Sequence, residues 1–311
     1  MSNSVILIVA AVLLIAVLCF WLIGERWRLM RGSTRAAMRL LGVRKLLNGS
    51  ALHMYIYGRW PSRYVGFLVN RVLPRLSEHN KQIAADHYHA KVLTHDHAKA
   101  IVTLDRDVPL RDLEQVIPYA QARKLVLDAP PEIAVFECAC RGFRANPCEP
   151  TRVCMAMGQP FVDFILDHHL GTSRRLTQSE ALELLREEHE RGHLHSAWFK
   201  NVMLDRFYAI CNCCKCCCGG IEAMIKHGVP LIAPSGYAAR IDPGLCAGCG
   251  VCVKACLFDA LSLGENSSQL DWEKCMGCGV CVDQCPNNAI SLERDEGKGI
   301  PLDARLLTAD G

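Results

Sequence analysis

The chain has 311 residues, half of them hydrophobic, with 35 basic against 32 acidic side chains for a formal net charge of +3. That length and apolar content suffice for one or two buried cores and exclude a disordered chain, and the near balance of charge is not that of a dedicated nucleic-acid binder. Of the 19 cysteines, only Cys19 precedes Cys138 and the rest fall between Cys138 and Cys285, most of them a few residues apart. Such separations suit thiolates converging on a metal or cluster better than a secreted disulfide framework, and so imply a reducing compartment.

In chain order, residues 5–23 contain no charged side chain. At a helical rise of about 1.5 Å per residue they would span roughly 28 Å, so a transmembrane anchor is predicted over residues 1–25. A cleaved signal peptide is the alternative, but no Lys or Arg precedes the run and no small-residue cleavage site follows it. Arg26, Arg28, Arg31, Arg35, Arg39, Arg44 and Lys45 follow against one acid, Glu25, which predicts a single-pass protein of the cell membrane with its C-terminal domain in the cytoplasm. A solvated helix face or contact with anionic headgroups are further readings of these charges. Trp21 and Trp27 suit an interfacial belt, and Cys19 is a small apolar residue in the span.

Residues 26–130 are predicted to be basic near the membrane and mostly helical, with strand-like runs at 100–104 and 125–127. His87, His89, His95 and His97 lie close together, but i, i+2 pairs do not face each other on a helix, so they read as ordinary surface or core histidines. Residues 131–235 form a cysteine-rich module. Within it, 177–195 reads as an amphipathic helix capped by Thr177 or Ser179 and closed near Gly192.

Residues 236–295 contain a duplication, because Cys246, Cys249, Cys252 and Cys256 recur at Cys275, Cys278, Cys281 and Cys285 with a constant offset of 29 residues. The word GCGVCV is identical in both halves, and the tails Asp259 to Leu263 and Asn288 to Leu292 align as a turn followed by a short strand. Two-residue gaps let three thiolates wrap one face of a cubane, while the fourth must arrive from elsewhere. Zinc is the competing reading, yet four tetrahedral ligands give no reason for a third and fourth cysteine in each run. Gly248, Gly250, Gly277 and Gly279 let backbone amides approach cluster sulfurs.

Over residues 240–295 the pattern resembles the bacterial two-cluster ferredoxin family. The resemblance implies one 4Fe-4S cluster on Cys246, Cys249, Cys252 and Cys285, and a second on Cys275, Cys278, Cys281 and Cys256. Pro286 follows Cys285 as that family's pattern expects, whereas Leu257 follows Cys256; the proline shapes a turn and is not a ligand.

Ten cysteines remain: Cys138, Cys140, Cys148 and Cys154, then Cys211, Cys213, Cys214, Cys216, Cys217 and Cys218. If CNCCKCCC were helical, Cys213, Cys216 and Cys217 would share one face and Cys211, Cys214 and Cys218 another, so two faces could serve two sites. The strings ECACRGFRANPCEPTRVC and ICNCCKCCCGG, with IPYAQARKLVLDAPPEIAVFECACR before them, resemble a group of anaerobe iron–sulfur proteins that carry such a module ahead of a dicluster ferredoxin domain. The two stretches are expected to meet and bind at least one additional cluster, and ten ligands could hold two. A structural zinc site and a redox dithiol are the alternatives. Arg141 and Arg144 would donate hydrogen bonds to an anionic cluster or form a docking patch. His193 and His195 would supply a non-cysteine ligand or surround the site.

The expected fold is α+β: an N-terminal transmembrane helix, a mainly helical middle domain, a C-terminal dicluster ferredoxin fold of pseudo-twofold βαβ repeats, and a tail at 296–311. The expected function is membrane-anchored electron transfer between redox partner proteins, with no nucleic acid involved. A cluster-based oxidoreductase subunit with an open coordination position in the 138–218 system, or a metal- or cluster-delivery protein, are the alternatives. No phosphate-binding glycine motif, Ser/His/Asp constellation or paired carboxylates can be argued from spacing.

Overall fold

A computed structural model describes residues 3–107 and 129–307, so the strand expected at 125–127 lies outside the described residues. The chain begins with helix α1 (Asn3–Gly24). Among the described residues no helix is long and apolar enough to cross a membrane. The transmembrane anchor expected over 1–25, and the single-pass placement that rested on it, are corrected accordingly. The physical reason lies in the end of α1, which belongs to the folded domain. Trp21 stacks on Tyr55 and Phe20 lies against Trp60, each at 4.8 Å between ring centroids. Gly24 is required where it stands, because a Cβ there would overlap the Tyr55 hydroxyl.

The charges that follow are engaged in the fold. Glu25 is fully buried, accepting from Arg31 N at 2.5 Å and from Thr34 Oγ1 at 2.9 Å. Arg26 donates to His168 O at 3.1 Å, and Lys45 pairs with Asp205 at 2.6 Å. Hydropathy and charge counts register none of these tertiary partners.

Helices α2 (Gly32–Leu47), α3 (Ser50–Arg59), α4 (Pro61–Phe67) and α5 (Glu78–His87) lead to strand β1 (Tyr88–Leu93). Helix α6 (His95–Val102) then takes residues 100–102, where a strand was expected. Thr94 decides this locally, since its hydroxyl accepts from His97 N and satisfies a helix-start donor. The module continues through β2 (Ile133–Glu137), α7 (Ala139–Gly142), β3 (Arg152–Met157), α8 (Phe161–His168), β4 (Ser173–Leu176) and α9 (Gln178–Glu190). Beyond it come β5 (Leu194–Lys200), β6 (Arg206–Cys213), α10 (Gly219–His227) and β7 (Ile232–Ala233).

These seven strands form one sheet in the order β4-β2-β3-β6-β5-β1-β7, antiparallel except where β1 meets β7. Both faces are buried: Ile133 and Val135 of β2 join one core cluster, while Ala134 and Phe136 join another. The same two-sided burial encloses the polar side chains His89 and Lys91 of β1 and His195, Ser196 and Lys200 of β5. Helix α9 starts on a capping box between Thr177 and Glu180 and stops before Gly192, whose φ is +75°. The chain past that glycine enters β5, so His195 is a strand residue and not the end of the helix expected over 177–195.

The C-terminal part comprises β8 (Tyr237–Ile241), α11 (Val251–Ala255), β9 (Leu261–Leu263), β10 (Ser268–Leu270), α12 (Val280–Asp283) and β11 (Ile290–Arg294). A last helix, α13 (Ala304–Leu307), follows. β8 pairs with β11 and β9 with β10, so each strand entering one half is paired with the strand leaving the other in a two-stranded sheet. The sequence repeat recurs in the backbone. Asp259 and Asn288, 29 positions apart, both adopt positive φ, at 54° and 51°. Gly248 and Gly277 share a φ of 62°. At Gly277 a side chain is also sterically excluded, because a Cβ would overlap Tyr237 O and Ser235 Oγ.

Candidate metal centres

In the ferredoxin region, each tight loop delivers its cysteines by the same hydrogen bonds. Cys246 N donates to Asp242 O and Cys275 N to Asp271 O, while Ala260 N and Ala289 N donate to the Cys256 and Cys285 sulfurs, both at 3.3 Å. Ser268 N donates to Cys246 Sγ at 3.5 Å, and the Ser268 hydroxyl lies 3.2 Å from Cys252 Sγ. Backbone N–H groups of Ser268 and Gly248 hold the Cys246 thiol below its ordinary range.

Cys256 from the first run shares a small cavity of about 20 Å³ with Cys275, Cys278 and Cys281 from the second. Burial first, then the proximity of Cys256 and Cys275, pushes the Cys278 thiol up to about 12. The Cys281 thiol rises for the same reasons. Thiols crowded and desolvated in this way stay protonated alone, and a positive metal among them removes the penalty as they ionise. The residues present therefore fit an iron–sulfur cluster.

The ten remaining cysteines divide into two sets. The CNCCKCCC run is not helical: Cys211 and Cys213 close strand β6, a turn carries 214–217, and Cys218 stands at the N-terminus of α10. The helical faces anticipated from the sequence are therefore replaced by a different division. Cys214, Cys216 and Cys217 meet Cys148, and all four sulfurs lie within 4.8 Å of one another. Cys148 Sγ is 3.2 Å from Cys214 Sγ and 3.8 Å from Cys217 Sγ, and Cys216 Sγ is 3.4 Å from Cys217 Sγ. A tetrahedral ion with metal–sulfur bonds of about 2.3 Å sets its sulfurs about 3.8 Å apart. These four thiols match that size.

Arg141 serves this set electrostatically. It is fully buried, and its Nε has no hydrogen-bond partner among the described residues. Burial works against the Cys214 thiolate, but the hydrogen bond with Cys148 and the charge of Arg141 outweigh it and bring Cys214 below the ordinary thiol value. Arg144 acts on the backbone, donating from Nη2 to Cys217 O at 3.0 Å and pairing with Glu222.

Cys138, Cys140, Cys154, Cys211, Cys213 and Cys218 make up the second set and all line a cavity of about 440 Å³. Cys138 is pushed up to about 12, foremost by its hydrogen bond with Cys140 and then by burial. Cys154 is raised through Cys138 and Cys211. The opposite wall was not legible in the sequence. Tyr57 Oη lies 2.5 Å from Tyr208 Oη and 3.2 Å from Tyr88 Oη. Lys200, 4 % exposed, sits 4.4 Å from the Tyr88 ring centroid, and burial lowers its ammonium to about 7. No spacing signal joins these residues, because they come from α3, β1, β5 and β6.

Lys215 links the module to the ferredoxin region. It stands between Cys214 and Cys216 in the turn, donates to Cys256 O at 2.9 Å and pairs with Asp259 at 2.5 Å. His193 and His195 separate: His193 Nδ1 lies 2.7 Å from Glu188 Oε2 beside Arg141, while His195 joins His95 and His189. The other sequence-adjacent histidines go elsewhere, with His97 3.7 Å from Asp303 and His89 Nδ1 3.0 Å from Ala85 O.

No curated protein matches the chain. Residues 239–262 and 269–291 each match the 4Fe-4S binding domain. The two matches contain the two cysteine runs up to the fourth ligand position, fit two 4Fe-4S clusters, and leave a cysteine-rich region able to hold more. The chain is an iron–sulfur electron-transfer protein carrying a 4Fe-4S binding domain in its C-terminal part.

Proposed function

We propose that this protein exchanges electrons between its ferredoxin domain and a further metal centre in the cysteine-rich module, on behalf of redox partner proteins. The contact of Lys215 with Cys256 O and Asp259 supports it best, because it seats the cysteine-bearing turn against Cys256, the first-run cysteine that this reading gives to the second cluster. In this reading the first cluster takes Cys246, Cys249, Cys252 and Cys285, and the second takes Cys275, Cys278, Cys281 and Cys256. Cys148, Cys214, Cys216 and Cys217 take a single tetrahedral ion, zinc or iron. The six cysteines of the larger cavity take an additional cluster. Thiolate-bound iron and sulfide supply one-electron chemistry at potentials tuned by hydrogen bonds and exposure. Arg141, Arg144, Ser268 and the loop amides provide that tuning.

Anaerobic purification with iron and acid-labile sulfide counted per chain, alongside electron paramagnetic resonance of the reduced sample, tests this reading. About twelve irons are expected, with one more iron or zinc. About eight irons and no other metal would leave the module without a centre and sink the proposal. Cys285→Ser is expected to alter the signal of the cluster on Cys246, Cys249 and Cys252, and a change confined to the second run would refute the crossed arrangement. Lys215→Glu sets a carboxylate against Asp259. It is expected to leave stability within about 1 kcal/mol, since the pair is exposed, yet to slow electron exchange between the two parts about tenfold or more in flash-reduction kinetics.

A second reading is favoured by the large cavity itself. Its space, the tyrosine trio and a lysine lowered to about 7 suit an oxidoreductase that passes protons as well as electrons to a small molecule. A small molecule that alters the spectrum of the module's cluster, in wild type but not in Lys200→Met, would support it.

A further inference from the structure

Three histidines far apart in the chain converge beside the ferredoxin domain. β1 pairs with β5 so that Leu93 lies opposite His195, and the chain leaving β1 through Thr94 places His95, the first residue of α6, over that position. His189, in the last turn of α9, completes the group. One nitrogen from each ring lies within 4.8 Å of the other two. His95 Nδ1 is 3.1 Å from His195 Nε2, and the His95 and His189 rings stack at 4.2 Å between centroids.

The surroundings orient these rings as metal-bound histidines are oriented. Asn212 Nδ2 donates to Val153 O at 2.8 Å, which turns Asn212 Oδ1 toward His195 Nδ1 at 2.6 Å. An amide oxygen only accepts, so His195 carries its proton on Nδ1 and presents the bare Nε2 lone pair to the group. His195 and Asn212 are 2 % and 1 % exposed, so this tautomer is held in place without competition from water. At the other end, Asp283 Oδ2 lies 2.9 Å from His189 Nε2. A ligating histidine typically has such a partner, a carboxylate or carbonyl that fixes ring and tautomer. Asp283 belongs to α12 of the ferredoxin domain, next to Gln284, which donates to Glu190 O at 3.3 Å.

We propose that His95, His189 and His195 form a site for one divalent transition-metal ion, with Asp283 as the carboxylate that brings the ferredoxin domain to it. Imidazole donors select the zinc, iron, cobalt and nickel class over magnesium or calcium. The site is distinct from the thiolate sets, since no cysteine belongs to it. Its ion clamps α12 of the ferredoxin domain onto α9 of the module. The plain alternative is a hydrogen bond from His95 to His195 with no ion.

Cobalt(II) is the probe, added to the full chain with its iron in place. Equilibrium dialysis with metal analysis is expected to give one cobalt per chain, and cobalt-edge X-ray absorption to show nitrogen and oxygen neighbours without sulfur. His95→Gln and His189→Gln, with iron content unchanged, are expected to weaken binding tenfold or more. Asp283→Asn is expected to weaken it about 10- to 100-fold, as loss of an outer partner does. Wild-type protein that takes up no stoichiometric cobalt overturns the proposal. So does cobalt with sulfur neighbours, or cobalt held equally by folded histidine variants. The absorption measurement needs no variant, so a substitution that impairs folding does not shield the idea.

Discussion

Replacing Arg141 with leucine is expected to cost about 3–5 kcal/mol of stability, the penalty for breaking a buried ion pair by removing one partner. Arg141 and Glu188 are both fully buried and face each other at 3.3 Å. The leucine would leave the Glu188 carboxylate inside with His193 and Arg191, the latter at 3.1 Å through a half-exposed side chain. It would also strip a donor from Asn212 O and Pro150 O, which Arg141 now serves. Cys214 would lose the positive charge that helps lower its thiol below the ordinary value, so metal at the four-cysteine set should fall as well. Denaturant unfolding of metal-loaded protein, with metal counted per chain, checks both. Glu188→Gln in the same chain should recover part of the loss, because no uncompensated charge then remains. A cost under about 1 kcal/mol for Arg141→Leu would mean that this pair is not the buried anchor described.

Acidification is the second large effect. Between pH 6.5 and pH 4 stability is expected to fall by up to about 1.4 kcal/mol per pH unit for each buried histidine held neutral. His168 and His89 are lowered to about 3 and about 4, foremost by burial. For His168 the structure shows why. Thr34 Oγ1 donates to Glu25, so it accepts from His168 Nε2 at 2.8 Å, and Nδ1 is left buried without a partner among the described residues. A second proton would have to go on the buried Nδ1, with the positive charges of Arg59 and Arg31 nearby. The unfolded chain takes up protons below about 6.5 and the folded chain does not, so stability is present above that value and is lost as pH falls toward the folded values. Urea midpoints measured from pH 7.5 to pH 4.5 should show this slope, and His168→Gln should flatten it. A midpoint independent of pH across that window would contradict the burial argument.

Both effects arise from residues whose importance was invisible in the chain order. Arg141 stood out in the sequence only as an arginine beside cysteines, and nothing there paired it with Glu188, 47 positions away. Glu25 read as one acid among arginines at the end of an apolar run. Its burial against Thr34, with His168 close by, is part of what makes the end of α1 a domain element. The apolar run itself was legible as a helix, but its relation to the rest of the protein was not, because hydropathy sums side chains without knowing what they pack against. Likewise Ala100 to Val102 looked like a strand by composition until the Thr94 cap assigned them to a helix.

The duplicated cysteine spacing needed no tertiary information. Three corners of a cubane are wrapped by one tight loop, so most of the ligand pattern is local, and the glycines at 248 and 277 repeat because the backbone takes positive φ there. Chemistry confined to a few consecutive residues is written in the order of those residues. The division of the other ten cysteines depended on where β6 ends and the turn begins, which sends Cys211 and Cys213 into the cavity and Cys214, Cys216 and Cys217 toward Cys148. The three-histidine group depended on strand register and on how α6 and α9 meet over the sheet. Such sites are assembled from distant segments by burial and hydrogen bonding, and only folding brings those segments together.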